Sequence, residues 1–144
     1  MFCYQCEQTA KGTGCTVKGV CGKDEETAVL QDLLVHSLKG VSRYTHAAAE
    51  LGARDREIDV FTIEALFSTL TNVNFDPERL QAILNRVPDI RDRAYKLYAE
   101  ASRKAGKEPA APDWPDTCEP GATLDRLIEQ GRQVGIEKRK EALG

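Results

Sequence analysis

The feature that most constrains this chain is a cluster of cysteines at its N-terminus. Four of the five cysteines fall within the opening stretch MFCYQCEQTAKGTGCTVKGVCGK, with the spacing C-x2-C-x8-C-x5-C. A C-x2-C pair lets two thiolates reach one centre from a single tight turn. Glycines around the other two cysteines permit the sharp bends that return them to that centre. The spacing therefore predicts an irregular head, residues 1–23, that binds a metal through Cys3, Cys6, Cys15 and Cys21.

Charge and hydropathy favour a reducing compartment and argue against several functions. The formal net charge of -3 opposes a general nucleic-acid binder, which needs a strongly basic face. No apolar run near the start reaches the roughly seven residues of a signal peptide, and none approaches the roughly 18 of a membrane helix. We therefore expect a cytoplasmic protein with no nucleic-acid or membrane partner. Because thiols are usually reduced there, a metal is favoured over disulfides.

Three lysines lie among these cysteines and allow two interpretations. Lys11, Lys18 and Lys23 stand against a single acidic residue, Glu7, within the head. Their charge would offset the negative charge of four metal-bound thiolates. They would equally form a docking patch for an acidic electron-transfer partner, because complementary charge raises encounter rates. The sequence leaves both interpretations open.

The spacing alone does not choose the metal. Four thiolates suit a tetrahedral zinc ion and equally an iron–sulfur cluster. The last three cysteines of the head also match part of the C-x8-C-x5-C-x3-H zinc finger that binds RNA, but Glu25 stands where that finger has its histidine. Three functions remain open at this point. They are an iron–sulfur electron-transfer module, a zinc-binding interaction module for partners such as RNA, and a domain in which the metal is a structural staple.

Beyond the head, helical periodicity predicts an all-α fold, a helical bundle without a convincing strand. The first helix should begin near Asp24, because three acidic residues crowd its first turn, and Gly52 should terminate it. One face carries apolar residues at helical spacing. The opposite face is charged and contains His36 and His46, which we expect to face solvent rather than to bind a metal.

Two further helices complete the predicted helical body, residues 24–105. The second should cover residues 56–70 and be buried, because apolar groups occur on nearly every side. The third should begin at Asp76 and Pro77, a favourable N-cap followed by a proline at the first helical position. Its apolar stripe keeps phase across Pro88, so we predict a kink or short break near Val87 with both halves on one core.

The sequence predicts a connector and a final helix in the last part of the chain. Residues 106–122 contain four of the six prolines and predict an extended connector. Residues 123–144 should contain a short helix followed by a polar, mobile tail. Cys118 lies in the connector between acidic neighbours, far from the other cysteines, and is not expected to be a ligand. Trp114 should anchor the connector to the helices.

Three stretches of the sequence together carry a family resemblance. They are the head itself, then ETAVLQDLLVHSLKGVSRY, then LFSTLTNVNFD. In this order they resemble the N-terminus of the hybrid cluster protein family, also called prismane protein or hydroxylamine reductase. The resemblance is close over about residues 1–75 and loose beyond them. It implies a [4Fe-4S] cluster held by Cys3, Cys6, Cys15 and Cys21, because the compact spacing resembles the class of the family that binds a cubane.

The resemblance also implies a role and its limits. In the family, such a head would pass electrons from a soluble donor toward a second, hybrid iron–sulfur–oxygen cluster, where hydroxylamine is reduced to ammonia and nitric oxide reduction has been proposed. Family members are several times longer than this chain, and the ligands of that second cluster lie downstream, so no catalytic residue is carried over. We therefore expect a fragment or truncated relative that is not catalytic alone, with the downstream domains and an electron donor as partners.

Overall fold

The computed structural model describes residues 1–110 and 121–143, and it confirms the predicted all-α class. After an irregular head with one short 3-10 turn (Ala10–Gly12), six α-helices follow within these residues. No regular strand occurs in the same residues. The helices are α1 (Glu25–Glu50), α2 (Arg56–Ser68), α3 (Pro77–Leu84), α4 (Val87–Lys104), α5 (Leu124–Val134) and α6 (Ile136–Leu143).

Helix α1 is the central element of the bundle, and its ends are set by local sequence. The Asp24 carboxylate accepts a hydrogen bond from the backbone N–H of Thr27 at 2.8 Å, which satisfies one of the free N–H groups at the helix start. Gly52 adopts a φ of 79° just beyond the helix, a conformation that costs glycine little. Both predicted boundaries are confirmed. The helix packs against α2, α3, α4 and α5 through fully buried leucines and a valine, namely Leu30, Leu33, Leu34, Leu38 and Val41.

Helix α2 differs from its prediction. It begins as expected at Arg56, after the N-cap Asp55, but ends at Ser68. The prediction that it is buried on nearly every side is wrong, because only one face, which includes Ile58 and Phe61, is buried. The other face is largely uncovered by the described residues. It exposes Val60, Ile63, Leu66 and Phe67, and the loop that follows exposes Leu70 and Val73.

The predicted interruption at Pro88 is confirmed. Helix α3 ends at Leu84 and α4 begins at Val87, so the proline lies in the first turn of a new helix. A proline costs little there, because the N–H it lacks would have no partner within the helix. The two helices still share one core, which includes Leu80, Leu84, Val87, Ile90 and Ala94.

The C-terminal segment lies against the first half of α1. Thr123 caps α5, and Leu127 and Ile128 enter the main core. The helices approach closely at Gly131, where a Cβ would lie 2.5 Å from Cγ1 of Val29. The segment predicted to be a mobile tail is instead helix α6. Three of the four prolines of the predicted connector, together with Cys118 and Trp114, fall within residues 111–120, outside the described residues.

Contacts from α6 explain why part of the charged face of α1 is covered. The backbone N–H of Ile136 donates to Asp32 Oδ2 at 2.8 Å, and Arg139 lies 3.9 Å from the other oxygen of the same carboxylate.

The prediction of a solvent-facing side chain is wrong for His36, which is half-buried, and is confirmed for His46, whose side chain is 79% exposed. Burial, together with the charges of Lys39 and Arg139, lowers the pKa of His36. None of the described helices is long and apolar enough to span a membrane.

The lowered pKa predicts that stability depends on pH through His36. Below its ordinary pKa of 6.5 the unfolded chain binds a proton that the folded chain resists, so stability is lost as the pH falls through that window. We expect the free energy of unfolding, measured by urea denaturation, to fall between about pH 7 and about pH 5. His36→Gln should reduce this slope, whereas the exposed control His46→Gln should not. Equal slopes in the wild type and His36→Gln would contradict the assignment.

Candidate metal centre

The head is organised by backbone pairing between two of the predicted ligands. The N–H of Cys15 donates to the carbonyl of Cys3 at 2.7 Å, and the N–H of Phe2 donates to the carbonyl of Cys15 at 2.9 Å. This isolated antiparallel bridge brings Cys3 and Cys15 side by side. Phe2 and Cys15 are buried together with Ala28 of α1, so the head has a small core of its own that rests on the bundle.

The Cys15 thiol lies in an environment that favours the thiolate. The backbone amides of Ala10 and Val20 hydrogen-bond this thiol, and they lower its pKa more than burial raises it. The positive charge of Lys23 lowers the pKa further. The thiolate is the form of cysteine that binds metals, so these groups favour the form that the predicted ligand role of Cys15 requires.

Two glycines make the turns of the head possible. Gly14 has a φ of 108°, and a Cβ there would lie 2.1 Å from Sδ of Met1. At Gly19 a Cβ would lie 2.8 Å from the carbonyl oxygen of Lys23, because the N–H of Gly19 donates to that oxygen at 2.7 Å. The resulting tight turn contains Cys21, as the glycine pattern predicts.

All four predicted ligands are free thiols, but the structure does not gather them all. Cys15 is buried, and Cys3, Cys6 and Cys21 are partly exposed. Within residues 1–110 and 121–143, no group of three or more His, Cys, Asp or Glu side chains is close enough to hold a metal ion. The structure therefore brings the backbones of Cys3 and Cys15 together, but it does not bring all four thiols to one point. The donor set, four reduced thiols with amide donors at one sulfur, fits a thiolate-bound metal centre by its chemistry.

The structure separates the two interpretations of the lysines in the head. Lys11 and Lys18 are exposed, whereas Lys23 is only 2% exposed and therefore does not belong to a surface docking patch. Lys23 precedes the N-cap Asp24, a position where a hydrophobic residue often packs back onto the helix, but a lysine there gave no signal of burial.

Lys23 is the centre of a hydrogen-bond network that joins three parts of the chain. Its Nζ donates to Gln5 Oε1 at 2.9 Å and to Gln31 Oε1 at 2.6 Å. Gln5 in turn donates to the carbonyl of Thr69, and Gln31 donates to the carbonyl of Asn74 at 2.9 Å. The network therefore connects the head, α1 and the loop between α2 and α3.

A cavity of about 240 Å³ lies between the head and the helices at this network. Cys3 and Lys23 both line it, as do Asp32 of α1 and Arg139 of α6. Burial raises the pKa of Asp32, although the Ile136 amide and the charges of Arg139, Lys23 and Lys39 act in the opposite direction. The cavity thus places a buried cation beside a predicted cysteine ligand.

Known proteins with similar sequences identify the family. A sequence model of the Prismane/CO dehydrogenase family matches residues 1–143. The chain belongs to this family. It is 51% identical over 145 residues to a hydroxylamine reductase of Syntrophobacter fumaroxidans, covering 98% of this chain and 25% of the relative. A hydroxylamine reductase of Methanocella arvoryzae is 52% identical over 138 residues, covering 95% of this chain and 24% of the relative.

Membership in the Prismane/CO dehydrogenase family confirms the resemblance drawn from the three sequence stretches. A third relative, the hydroxylamine reductase of Geobacter sulfurreducens, is 48% identical over 138 residues, which cover 94% of this chain and 25% of that protein. The chain thus spans about a quarter of the length of these relatives. All three stretches that carried the resemblance contribute residues to the Lys23 network.

Proposed function

We propose that the head binds a [4Fe-4S] cluster through Cys3, Cys6, Cys15 and Cys21, and that the chain is the electron-transfer domain of a hydroxylamine reductase-like oxidoreductase. The observation that carries the proposal is the backbone pairing of Cys3 with Cys15, which brings two of four free thiols side by side in a head that rests on the bundle. Hydrogen bonds to sulfur and nearby charge are the means by which proteins tune such clusters. Family membership supports the same conclusion.

The residues of the head would have distinct roles in this function. A bound cluster would supply the capacity to take up and release one electron at a time. The four thiolates would hold it, and the amides of Ala10 and Val20 would stabilise negative charge on the Cys15 sulfur. The burial of Cys15 would limit the access of water to that side of the centre.

The outer surface of the head suits an acidic electron donor. Lys11 and Lys18 provide positive charge, and Tyr4, Val17 and Val20 of the same head are 59–91% exposed. Exposed cations and exposed apolar side chains on one segment fit a protein partner of opposite charge. The partly exposed cysteines open toward solvent on the head, where an electron would enter from a soluble, cytoplasmic donor.

Metal and sulfide analysis of the protein purified without oxygen tests the cluster. We expect about four irons and four sulfides per chain and a brown absorption that bleaches on reduction. Cys15→Ala should lose both, because it removes a ligand. The matched control Cys118→Ala should retain both. One zinc per chain and no colour would contradict the proposal and favour the zinc-binding interaction module.

The reduction of hydroxylamine to ammonia, and any reduction of nitric oxide, would belong to the longer protein. This chain spans about a quarter of its hydroxylamine reductase relatives, and the downstream ligands implied by the family resemblance are not part of its sequence. We therefore expect the purified chain, with its cluster and a chemical reductant, to show no sustained ammonia production from hydroxylamine. Repeated turnover would contradict the division of roles between the head and the downstream domains.

We propose that the exposed face of α2 packs against those downstream domains. Ile63 and Phe67 are 67% and 59% exposed, and the groove between α2 and α3 has a volume of about 600 Å³. A contiguous apolar surface of this kind usually marks an interaction site. The occupant is inferred from length, because about three-quarters of each relative lies outside the matched region.

A dye that fluoresces on apolar surfaces tests this packing. The isolated chain should bind 8-anilinonaphthalene sulfonate, and Ile63→Lys should reduce the fluorescence several-fold, whereas the head control Val17→Lys should not. A chimera in which this chain replaces the matching quarter of the Syntrophobacter relative should bind little dye. A folded chimera that binds as much dye as the isolated chain would contradict the proposed occupant. Loss of binding at high concentration of the isolated chain would instead indicate a second copy.

A further inference from the structure

The burial of Lys23 is unusual because its contacts satisfy hydrogen bonds without neutralising charge. The side chain is 2% exposed, and its two hydrogen-bond acceptors are the neutral amide oxygens of Gln5 and Gln31. The ammonium also lies 5.8 Å from the centre of the Phe75 ring, which attracts a cation weakly. Among the described residues, no carboxylate lies within ion-pair distance of Lys23.

A buried, unneutralised cation is costly to a folded protein unless a negative charge lies nearby. Asp32 lines the same cavity and interacts with the charge of Lys23 without forming an ion pair with it, but its carboxylate accepts the Ile136 N–H and lies nearer to Arg139. The cysteines of the head are a second source of negative charge. Cys3 lines the cavity with Lys23, and the lysine charge acts on the Cys15 thiol.

We propose that Lys23 is the fixed counter-charge of the thiolate-bound centre and that its buried ammonium raises the reduction potential of that centre. This inference rests on the proposed iron–sulfur function. Reduction adds one negative charge to the centre and breaks no bond, so a nearby cation stabilises the reduced state. The interaction is strong because Lys23 is shielded from water, whereas the exposed Lys11 and Lys18 are screened by solvent and salt.

The same network would also hold the head on the bundle, so the test must separate charge from structure. Lys23→Met keeps the length and apolar stem of the side chain and removes the charge. Gln5→Glu keeps Lys23 and places a carboxylate oxygen where the amide oxygen lies 2.9 Å from Nζ. Gln5→Glu removes the donor to the Thr69 carbonyl and so weakens one contact of the head. It keeps the contact with Lys23 and neutralises the cation.

Each variant has a matched control in the same head. Lys18→Met removes an exposed lysine, and Gln8→Glu adds a carboxylate to an exposed position that does not contact Lys23. These controls change the net charge of the head by the same amount as the variants. Only Lys23→Met and Gln5→Glu change the charge inside the cavity.

The experiment measures the midpoint potential of the iron–sulfur centre by redox titration, after iron and sulfide analysis of each protein. For Lys23→Met and Gln5→Glu we expect the ratio of reduced to oxidised protein at a fixed potential to fall at least tenfold, a shift of about 59 mV to more negative values for one electron. Lys18→Met and Gln8→Glu should shift the potential by less than half as much, and added salt should reduce their effect further.

Two results would overturn the inference, and a third would overturn the function on which it rests. A fully loaded Lys23→Met protein with the wild-type potential would show that Lys23 is a structural anchor only. If Lys23→Met does not fold, an unchanged potential in loaded Gln5→Glu leads to the same conclusion. Wild-type protein without iron and sulfide would refute the proposed function itself, and this outcome is visible before any potential is measured.

Discussion

The hydrogen-bonded burial of Lys23 is the interaction on which the arrangement of the head depends. Through Gln5 and Gln31 it connects the cysteine loop to α1, and through their bonds to Thr69 and Asn74 it connects both to the loop after α2. These three segments are the same three stretches that resemble the family in sequence. In this chain, each of the three segments supplies a hydrogen-bond partner to the network that buries one cation.

Helix α1 connects this network to the main core of the bundle. Its first half carries Ala28, which supports the head, and Gln31, which binds Lys23, while Leu30 and Leu34 enter the main core. The chain ends reinforce the arrangement. Glu137 of α6 accepts a hydrogen bond from the N-terminal ammonium of Met1 at 2.8 Å, a contact between residues 136 positions apart. The head is therefore held by the bundle on two sides, although it has little core of its own.

Elements encoded by local chemistry could be predicted from the sequence. The start of α1 at Asp24 follows from a side chain that caps its own helix, and the break before Val87 follows from the covalent geometry of Pro88. The all-α class follows from periodicity in the same way. These features depend on residues within about one helical turn of each other.

Features that depend on distant neighbours could not be predicted. The exposure of α2 depends on what covers its outer face, which its own apolar pattern does not reveal. The half-burial of His36 depends on α5 and α6, which lie nearly 100 residues downstream in the chain. For the candidate site, spacing predicted a set of four thiol ligands. The structure brings Cys3 and Cys15 side by side, and the full set stays a prediction. The buried charge beside them arose from packing among three segments and was missed.

The central claim is that the cysteine head relays electrons, and reversible reduction of the wild-type protein tests it most directly. An anaerobic redox titration followed by electron paramagnetic resonance should show a one-electron centre that is reduced and reoxidised without loss of iron. A metal that stays bound but cannot be reduced reversibly at any accessible potential would contradict the claim. In that case the metal would be a structural staple that attaches the head to the helices.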